Sequence, residues 1–194
     1  YSSPKSLTDS KIGDYLSNDI RTGKIPTDSK EFDEAEKEVT DRINFFVNNK
    51  GTKSVDYFHK KLGNIMWNKV GMARNEKHLK EAIKEIKEIR EDFWKNVKVP
   101  GDLNELNPEL EKAGRVADFL ELGELFALDA LNRNESCGGH FREEYVTEDG
   151  EALRDDKNFA YVAAWEYTGK PSEAVLHKEQ LEFKDIELKT RSYK

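Results

Sequence analysis

Apolar residues in the first two thirds of the chain recur at steps of three and four, the spacing of amphipathic helices. The spacing predicts helices over about residues 30–48, 54–70 and 76–97, and a fourth that begins at Asn107. The expected inward positions of the first three are Phe32, Ala35, Val39, Ile43, Phe46 and Val47; Val55, Phe58, Leu62, Ile65, Met66 and Val70; and Leu79, Ala82, Ile83, Ile86, Ile89 and Phe93. A further pattern predicts a short helix within residues 7–20, through Ile12, Tyr15, Leu16 and Ile20.

Residues that favour helix ends stand at these boundaries. Asp28 and Glu31 have the spacing of a capping box, and Ser54 is expected to cap the second helix. Asn107 is expected to cap the fourth helix, which opens on a proline. Gly51 is expected to end the first helix in a left-handed backbone conformation. The caps therefore predict the same helices as the periodicity.

The fourth helix differs from the others because apolar residues occupy nearly its full circumference. These residues are Phe119, Leu120, Leu122, Leu125, Phe126, Leu128 and Leu131. A helix that is apolar on most sides is covered on most sides. We therefore expect a buried Leu125, and we expect part of this helix to face something outside the chain.

The pattern changes after Asn134. Residues 137–140 indicate a Gly-rich turn, whereas residues 159–167 and 176–188 have the composition of extended segments that should lie against the helices or a partner. The predicted fold is mainly α: an up-and-down helical bundle of three core helices plus a preceding helix, with an irregular C-terminal tail containing short strands. The predicted division is a connecting segment at 1–29, the bundle at 30–134, and the turn with its tail at 135–194.

Composition excludes several classes of protein. The 194 residues are 37% charged and carry a net charge of −7, which disfavours a nucleic-acid partner. No run approaches the ~18 apolar residues of a membrane-spanning helix. The single Cys excludes an intrachain disulfide. Because the sequence does not begin with Met, we expect a processed chain or a piece of a longer one.

The residues offer little independent chemistry. Cys137 and His140 stand three residues apart, but they follow the C-terminal end of a helix, where the dipole disfavours a thiolate nucleophile. The four His residues are scattered, a single Cys cannot build a thiolate zinc site, and no Gly-rich phosphate-binding motif occurs. We therefore assign no catalytic, cofactor-binding or metal-binding residue. The polar turn is expected to dock onto another surface.

Three segments resemble one known family. Residues 135–144, E-S-C-G-G-H-F-R-E-E, resemble the R-x-E-S-R-G-A-H-x-R-x-D segment of the succinate dehydrogenase and fumarate reductase flavoprotein subunit. Residues 65–74, I-M-W-N-K-V-G-M-A-R, are similar to its M-W-x-x-V-G-x-x-R helix end, and residues 188–193 to its terminal Arg-Ser-Tyr. Cys137 departs from the family's Arg, a role that Arg133 or Arg142 could fill, and Gly139 departs from its Ala.

The resemblance implies a C-terminal helical domain that follows an FAD domain and a capping domain in the same subunit. The family moves a hydride between succinate or fumarate and FAD. Electrons pass through an iron–sulfur subunit and, indirectly, a membrane quinone-binding subunit. Its substrate and FAD-binding motifs belong to the earlier domains, so this part alone is expected to be inactive. The implied location is peripheral, at the cytoplasmic face of the membrane.

The family's turn packs against the FAD domain, which implies a set of interdomain contacts. The candidate residues are Glu135, Ser136, Gly138, Gly139, His140 and Arg142. Without a partner, the same turn would simply cap its own helix end. Two other functions stay open: an L-aspartate oxidase-type flavoprotein C-terminal domain, which has a similar Glu-Ser-Arg-Gly turn, and a standalone helical protein-interaction module.

Overall fold

The computed structural model describes residues 26–187 and residue 189. The helix expected within residues 7–20 and the closing Arg-Ser-Tyr lie outside the described residues. The chain divides into two compact units after Arg42, and each is considered by itself. The turn and tail after residue 134 belong to the same unit as the helices that precede them from residue 43 onward. The predicted three-part division stays a prediction.

The described residues form helices and short strands in the predicted order. The helices are α1 Lys30–Asn48, α2 Val55–Lys69, α3 Glu76–Asn96, α4 Pro108–Asn132 and the short α5 Asp156–Phe159. The strands are β1 Lys53–Ser54, β2 Ala73–Arg74, β3 Val97–Lys98, β4 Phe141–Arg142, β5 Tyr161–Glu166 and β6 Val175–Gln180. Parallel pairs join β1 to β3 and β2 to β4, and an antiparallel pair joins β5 to β6.

Helices α2, α3 and α4 each contact the other two and enclose the core. The predicted inward residues of α2 and α3 are buried except Met66 and Ile83, which are partly buried against that core. From α1, Phe46 enters the same core, where its ring stacks on Trp94 at 5.6 Å and meets Phe93 edge-on. The predicted mainly-α bundle with a strand-containing tail is confirmed.

The expected inward stripe of α1 is wrong over most of its length. Phe32 and Val39 are 46% and 58% exposed, and Phe46 is the buried member of the stripe. The carbonyl of Ser29, rather than Asp28, accepts the first helical hydrogen bonds. A periodic stripe predicts which side of a helix can be buried, but burial also needs an element to cover that side.

The other caps form as predicted, but Gly51 has a different reason. The side chains of Ser54 and Asn107 accept hydrogen bonds from the amides of Tyr57 and Leu110. Gly51 is not among the described glycines with positive φ. A Cβ atom there would lie 2.1 Å from the carbonyl oxygen of Asn96. Gly51 is therefore required by the close approach of the backbone at Asn96 and Val97, where α3 ends and β3 begins, and not by a left-handed helix end.

Helix α4 has two apolar sides, and only one of them is covered. Leu120 on the inner side is fully buried, whereas Phe119, Leu122 and Phe126 on the outer side are 42%, 50% and 55% exposed. Leu125, expected to be buried, is only partly buried. The sequence thus predicted the apolar circumference, and the structure separates its inner and outer sides.

The inner side of α4 also carries a buried charge. Glu124 is fully buried and forms an ion pair with Arg90 of α3, and Lys87 lies 3.6 Å from its other oxygen. A buried carboxylate of this kind needs its cations, because an isolated charge is very costly in an apolar core. The pair therefore fixes the facing positions of α3 and α4.

The tail lies against α4, as predicted for a strand pair that is marginal alone. The indole nitrogen of Trp165 in β5 donates a hydrogen bond to the Asp129 carboxylate over 2.9 Å. The Asn132 amide donates to the Tyr161 hydroxyl over 3.3 Å. The tail is therefore part of the helical unit.

We expect Leu120→Asp to lower the free energy of unfolding by at least about 3 kcal/mol, because it places an unpaired charge in the core. The matched variant Leu122→Asp lies two residues away on the outer side and should cost less than about 1 kcal/mol in this chain. Urea unfolding of both variants measures the difference. Equal losses would contradict the two-sided description of α4.

Candidate interdomain site

The predicted Gly-rich turn is a tight reversal closed by two backbone hydrogen bonds. The amide of Cys137 donates to the carbonyl of His140 over 2.8 Å, and the reverse bond is 3.0 Å. Gly138 has φ +59°, a conformation that L side chains rarely adopt. Gly138 and Gly139 are exposed, and a Cβ atom at either position would have nothing within 4 Å. The turn therefore presents bare backbone to its surroundings.

The turn is joined to the loop between α2 and α3. Strand β4 pairs in parallel with β2, so that Phe141 lies opposite Ala73 and Arg142 opposite Arg74. The amide of Glu143 also donates to the carbonyl of Arg74 over 2.8 Å. The two segments that carry the family resemblance in this part of the chain, residues 65–74 and 135–144, therefore meet in space.

Arg142 is a buried guanidinium, 1% exposed, that closes the C-terminal end of α4. Its Nη1 donates to the carbonyls of Ala130 and Leu131 over 3.0 and 3.4 Å. Its backbone is held by Ser136, whose hydroxyl accepts from the Arg142 amide over 2.8 Å. The last carbonyls of a helix lack partners within the helix and carry its negative dipole end, so a cation stabilises them.

Glu144 connects Arg142 to a second helix. Its carboxylate accepts from Arg142 Nε over 3.1 Å and from the amide of Glu76, the first residue of α3, over 2.5 Å. Partial burial acts to raise the pKa of Glu144, but these donors outweigh it and the pKa lies below its ordinary value. A guanidinium and a carboxylate thus bridge the negative end of α4 to the positive end of α3.

His140 lies between two fixed partners. Nη1 of Arg74 donates to its Nδ1 over 2.8 Å, and its Nε2–H donates to the carbonyl of Arg133 over 2.9 Å. This arrangement needs the neutral ring, because protonation would place a hydrogen on Nδ1 against the guanidinium. Burial and the nearby guanidinium groups of Arg74 and Arg142 lower the pKa of His140, although its bond to the Arg133 carbonyl opposes them.

The remaining candidate, Glu135, is also buried within the domain. It is 2% exposed and accepts from Arg133 Nη2 over 2.5 Å and from the amide of Asp155 over 3.1 Å. The side chains of Glu135, Ser136 and Arg142 therefore serve the domain's own structure. Direct interdomain contact stays a prediction, with Gly138, Gly139 and the partly buried His140 as the accessible members of the set.

Both candidate replacements for the family's Arg at Cys137 have other partners. Arg133 pairs with Glu135 and donates to the carbonyl of Phe159, and Arg142 bridges α4 and α3. Cys137 itself is partly buried at the base of the turn. Both Arg side chains are therefore occupied within the domain, and neither reaches out from the turn.

The cavity at the N-terminal end of α4 does not suit a diphosphate group such as that of FAD. One cavity of about 360 Å³ lies at the N-terminal end of α4, the kind of helix end that binds phosphate. It is lined by Asp102, Glu105 and Glu109, whose carboxylates repel a diphosphate, and Asn107 already caps the helix. Among the described residues, no group of three or more His, Cys, Asp or Glu side chains could hold a metal ion.

Sequence reasoning did not single out Arg74, Glu144, Asp129 or Trp165 as members of one site. Arg74 and Glu144 do stand inside the two segments of family resemblance, so the motifs contained a signal. Their place in one site depends on β2 lying beside β4, which no local pattern encodes. The Trp165–Asp129 bond likewise joins residues 36 positions apart.

Fold and site together define a helical domain whose outward-facing glycine turn is held by β2 and by the ends of α3 and α4. Residues 59–193 match the family model described as fumarate reductase flavoprotein C-term. The chain belongs to this family.

Two of the relatives are described as different enzymes. A fumarate reductase flavoprotein subunit from Helicobacter pylori is 34% identical over 140 residues, which cover 72% of this chain and 20% of the relative. An L-aspartate oxidase 1 from Ralstonia nicotianae is 36% identical over 87 residues, which cover 43% of this chain and 14% of the relative. The matched part thus spans a fifth or less of the length of these relatives.

Solved structures share the fold. The chain matches an E. coli quinol fumarate reductase with a TM-score of 0.70 at 21% identity, covering 86% of this chain and 27% of the other. A Mycobacterium smegmatis Sdh1 complex gives a TM-score of 0.63 at 24% identity, covering 77% and 25%. Within residues 26–187, no helix combines the length and apolarity that a membrane crossing requires.

We expect Arg142→Met to cost about 3–5 kcal/mol of stability, because buried carbonyls and Glu144 lose their cation. Glu144→Gln should cost roughly 1 kcal/mol, since its side chain is 39% exposed. A double-mutant cycle by urea unfolding should give a coupling of roughly 1 kcal/mol. The exposed Lys80–Glu76 pair is the matched control and should give below about 0.5 kcal/mol. Equal couplings would contradict the helix-bridging role.

The lowered pKa of His140 predicts acid-sensitive stability. In the unfolded chain His140 takes up a proton near its ordinary pKa of 6.5, whereas the folded chain resists protonation. The contribution is therefore present above pH 6.5 and is lost as pH falls from that value through the folded pKa. Wild type should lose more stability between about pH 7.5 and 5.5 than His140→Gln, which cannot titrate. Parallel losses in urea titrations would contradict this.

Proposed function

We propose that the chain is the C-terminal helical domain of a flavoprotein subunit that interconverts succinate and fumarate, and that it braces the FAD domain of that subunit. The observation that carries the proposal is the meeting of the two family-like segments. Strands β2 and β4 pair, and Arg74 bonds His140 at the base of an exposed glycine turn. The H. pylori relative, described as a fumarate reductase flavoprotein subunit, supports the same activity.

The domain contributes rigidity rather than a reacting group. Its turn is held by β2, by Arg142 and by the ends of α3 and α4, so Gly138 and Gly139 are presented at a fixed position. A preorganised contact binds with a smaller entropic cost than a mobile one. FAD supplies the hydride chemistry when it is bound by the preceding part of the polypeptide, and no step is assigned to this chain's residues.

The same proposal includes the wider assembly. The domain would sit in a subunit that contacts an iron–sulfur subunit and, through it, a membrane quinone-binding subunit. The solved structures that share the fold include a quinol fumarate reductase and an Sdh1 complex, which supports this setting. The subunit would lie peripherally at the cytoplasmic face of the membrane, with the FAD and capping domains ahead of residues 30–134.

An L-aspartate oxidase activity is the second candidate. The observation in its favour is the 36% identity over 87 residues to an L-aspartate oxidase 1. That match covers a smaller share of this chain than the fumarate reductase match, 43% against 72%. The residues that select the substrate lie in the part of the subunit outside this chain. An activity assay of the full-length subunit therefore decides between the two candidates.

We expect the purified 194-residue chain to be colourless and inactive, because the family's FAD-binding and substrate-binding motifs belong to its earlier domains. The full-length subunit is expected to bind FAD and to reduce a dye with succinate rather than with L-aspartate. Visible absorption spectra and dye reduction measure both properties. Reduction by L-aspartate alone would favour the second candidate.

The control for this experiment is the full-length subunit truncated before the present chain. It should lose flavin more readily than the intact subunit if the domain braces the FAD domain. Flavin bound to the 194-residue chain alone, or turnover by it, would overturn the proposal. A reading frame that encodes this chain without any FAD domain would favour a standalone interaction module.

A further inference from the structure

Two cavities that share lining residues lie along the outer side of α4, and together they are called the trough. The first, about 220 Å³, lies between α2 and α4 and is lined mainly by apolar side chains, among them Met66 and Phe119. The second, about 360 Å³, ends in polar groups. Leu122 and Phe126 line both cavities, and the two side chains are 50% and 55% exposed. The trough therefore has an apolar end and a polar end that share these two side chains.

The polar end holds the Arg74 guanidinium, which has no carboxylate partner among residues 26–187. Arg74 donates through Nε to the carbonyls of Val70 and Gly71 over 3.0 and 2.8 Å, and through Nη1 to His140. No carboxylate of the described residues lies within the 4.0 Å of an ion pair with Arg74. Asp129, which also lines the cavity, attracts it from farther away and accepts the indole hydrogen of Trp165.

Unlike Arg74, the two neighbouring guanidinium groups have carboxylate partners. Arg133 is paired with Glu135, and Arg142 is paired with Glu144. Any molecule that covers the trough removes the Arg74 charge from water. Desolvation of a cation is costly unless the covering molecule brings an anion to it. The occupant therefore needs a carboxylate beside an apolar group.

The occupant is most simply part of the same subunit. The chain spans about a fifth of the length of the H. pylori relative, so most of such a polypeptide lies outside the described structure. The polar end of the trough is continuous with the proposed contact, because His140 lines the cavity and stands next to Gly139. A segment that contacts the glycine turn would thus reach the trough without leaving the same face.

We propose that the trough holds a segment of the FAD-binding part of the same subunit, with an apolar side chain against Leu122 and Phe126 and an Asp or Glu carboxylate bound to Arg74. This inference rests on the proposed function and adds the chemistry of the contact. It also explains why a helix that already buries one apolar side in the core has a second apolar side.

The first experiment identifies the occupant in the full-length, flavin-loaded subunit. A photo-crosslinking amino acid replaces Phe126, and in a control it replaces Tyr167, which is exposed to a similar extent, 56% against 55%. The expected cross-link from position 126 joins a peptide of the FAD-binding part that contains Asp or Glu, and position 167 should not reach that peptide. A cross-link to another subunit, to a second copy, or to nothing would overturn the inference.

The second experiment tests the charge contact. Replacing the carboxylate of the cross-linked peptide by its amide should lower the temperature of flavin release by about 3 °C or more in wild type. The same replacement should have no further effect in Arg74→Met, where its partner is missing. An equal effect in both backgrounds would overturn the carboxylate–Arg74 contact.

The third experiment separates this inference from the proposed function. Leu122→Asp should lower the flavin-release temperature of the full-length subunit by about 5 °C or more. Leu153→Asp, at a residue 45% exposed against 50% for Leu122, should leave it within about 1 °C. If the subunit binds FAD and both variants behave like wild type, the trough is not an interface and the proposed function stands. A full-length subunit without FAD would instead overturn the proposed function.

Discussion

The structure of the candidate site depends on one buried guanidinium. Arg142 is almost fully buried. Its guanidinium donates to carbonyls at the end of α4 and to Glu144, and its backbone amide donates to the Ser136 hydroxyl. A buried cation is tolerated only where such partners converge. Because Glu144 also caps α3, the position of the glycine turn is fixed to the ends of two core helices.

The same constraint explains the division between rigid and accessible residues around the turn. The side chains of Glu135, Ser136 and Arg142 are buried because their polar atoms form hydrogen bonds or ion pairs within the domain. Gly138 and Gly139, by contrast, are exposed. A motif of this kind combines residues that build the scaffold with residues that touch something else. Resemblance to a family motif cannot separate these two roles, since both kinds of residue are part of the same pattern. Burial separates them.

The sequence predicted the helices well because their signals are local. Ser54 and Asn107 cap the helices they were expected to cap, and the stripes of α2 and α3 are buried almost as written. The predictions that were wrong concerned what lies opposite a residue. Periodicity marked Phe32 and Val39 as inward, but burial depends on a covering element. Gly51 is required by a tertiary contact, the close approach of Asn96, and not by the helix end that its position in the sequence indicated.

Helix α4 combines a local signal with a tertiary one. Its sequence showed that almost every side is apolar, which indicated more than one neighbour, but only the structure shows that Leu120 and Leu122 face opposite environments. The inner neighbour is the core, stapled by Glu124 and Arg90. The outer side adjoins Arg74, which also holds His140 beneath the glycine turn. The Arg74 guanidinium thus links the turn to the uncovered side of α4. We therefore expect a partner that binds one of these two features to contact or displace the other.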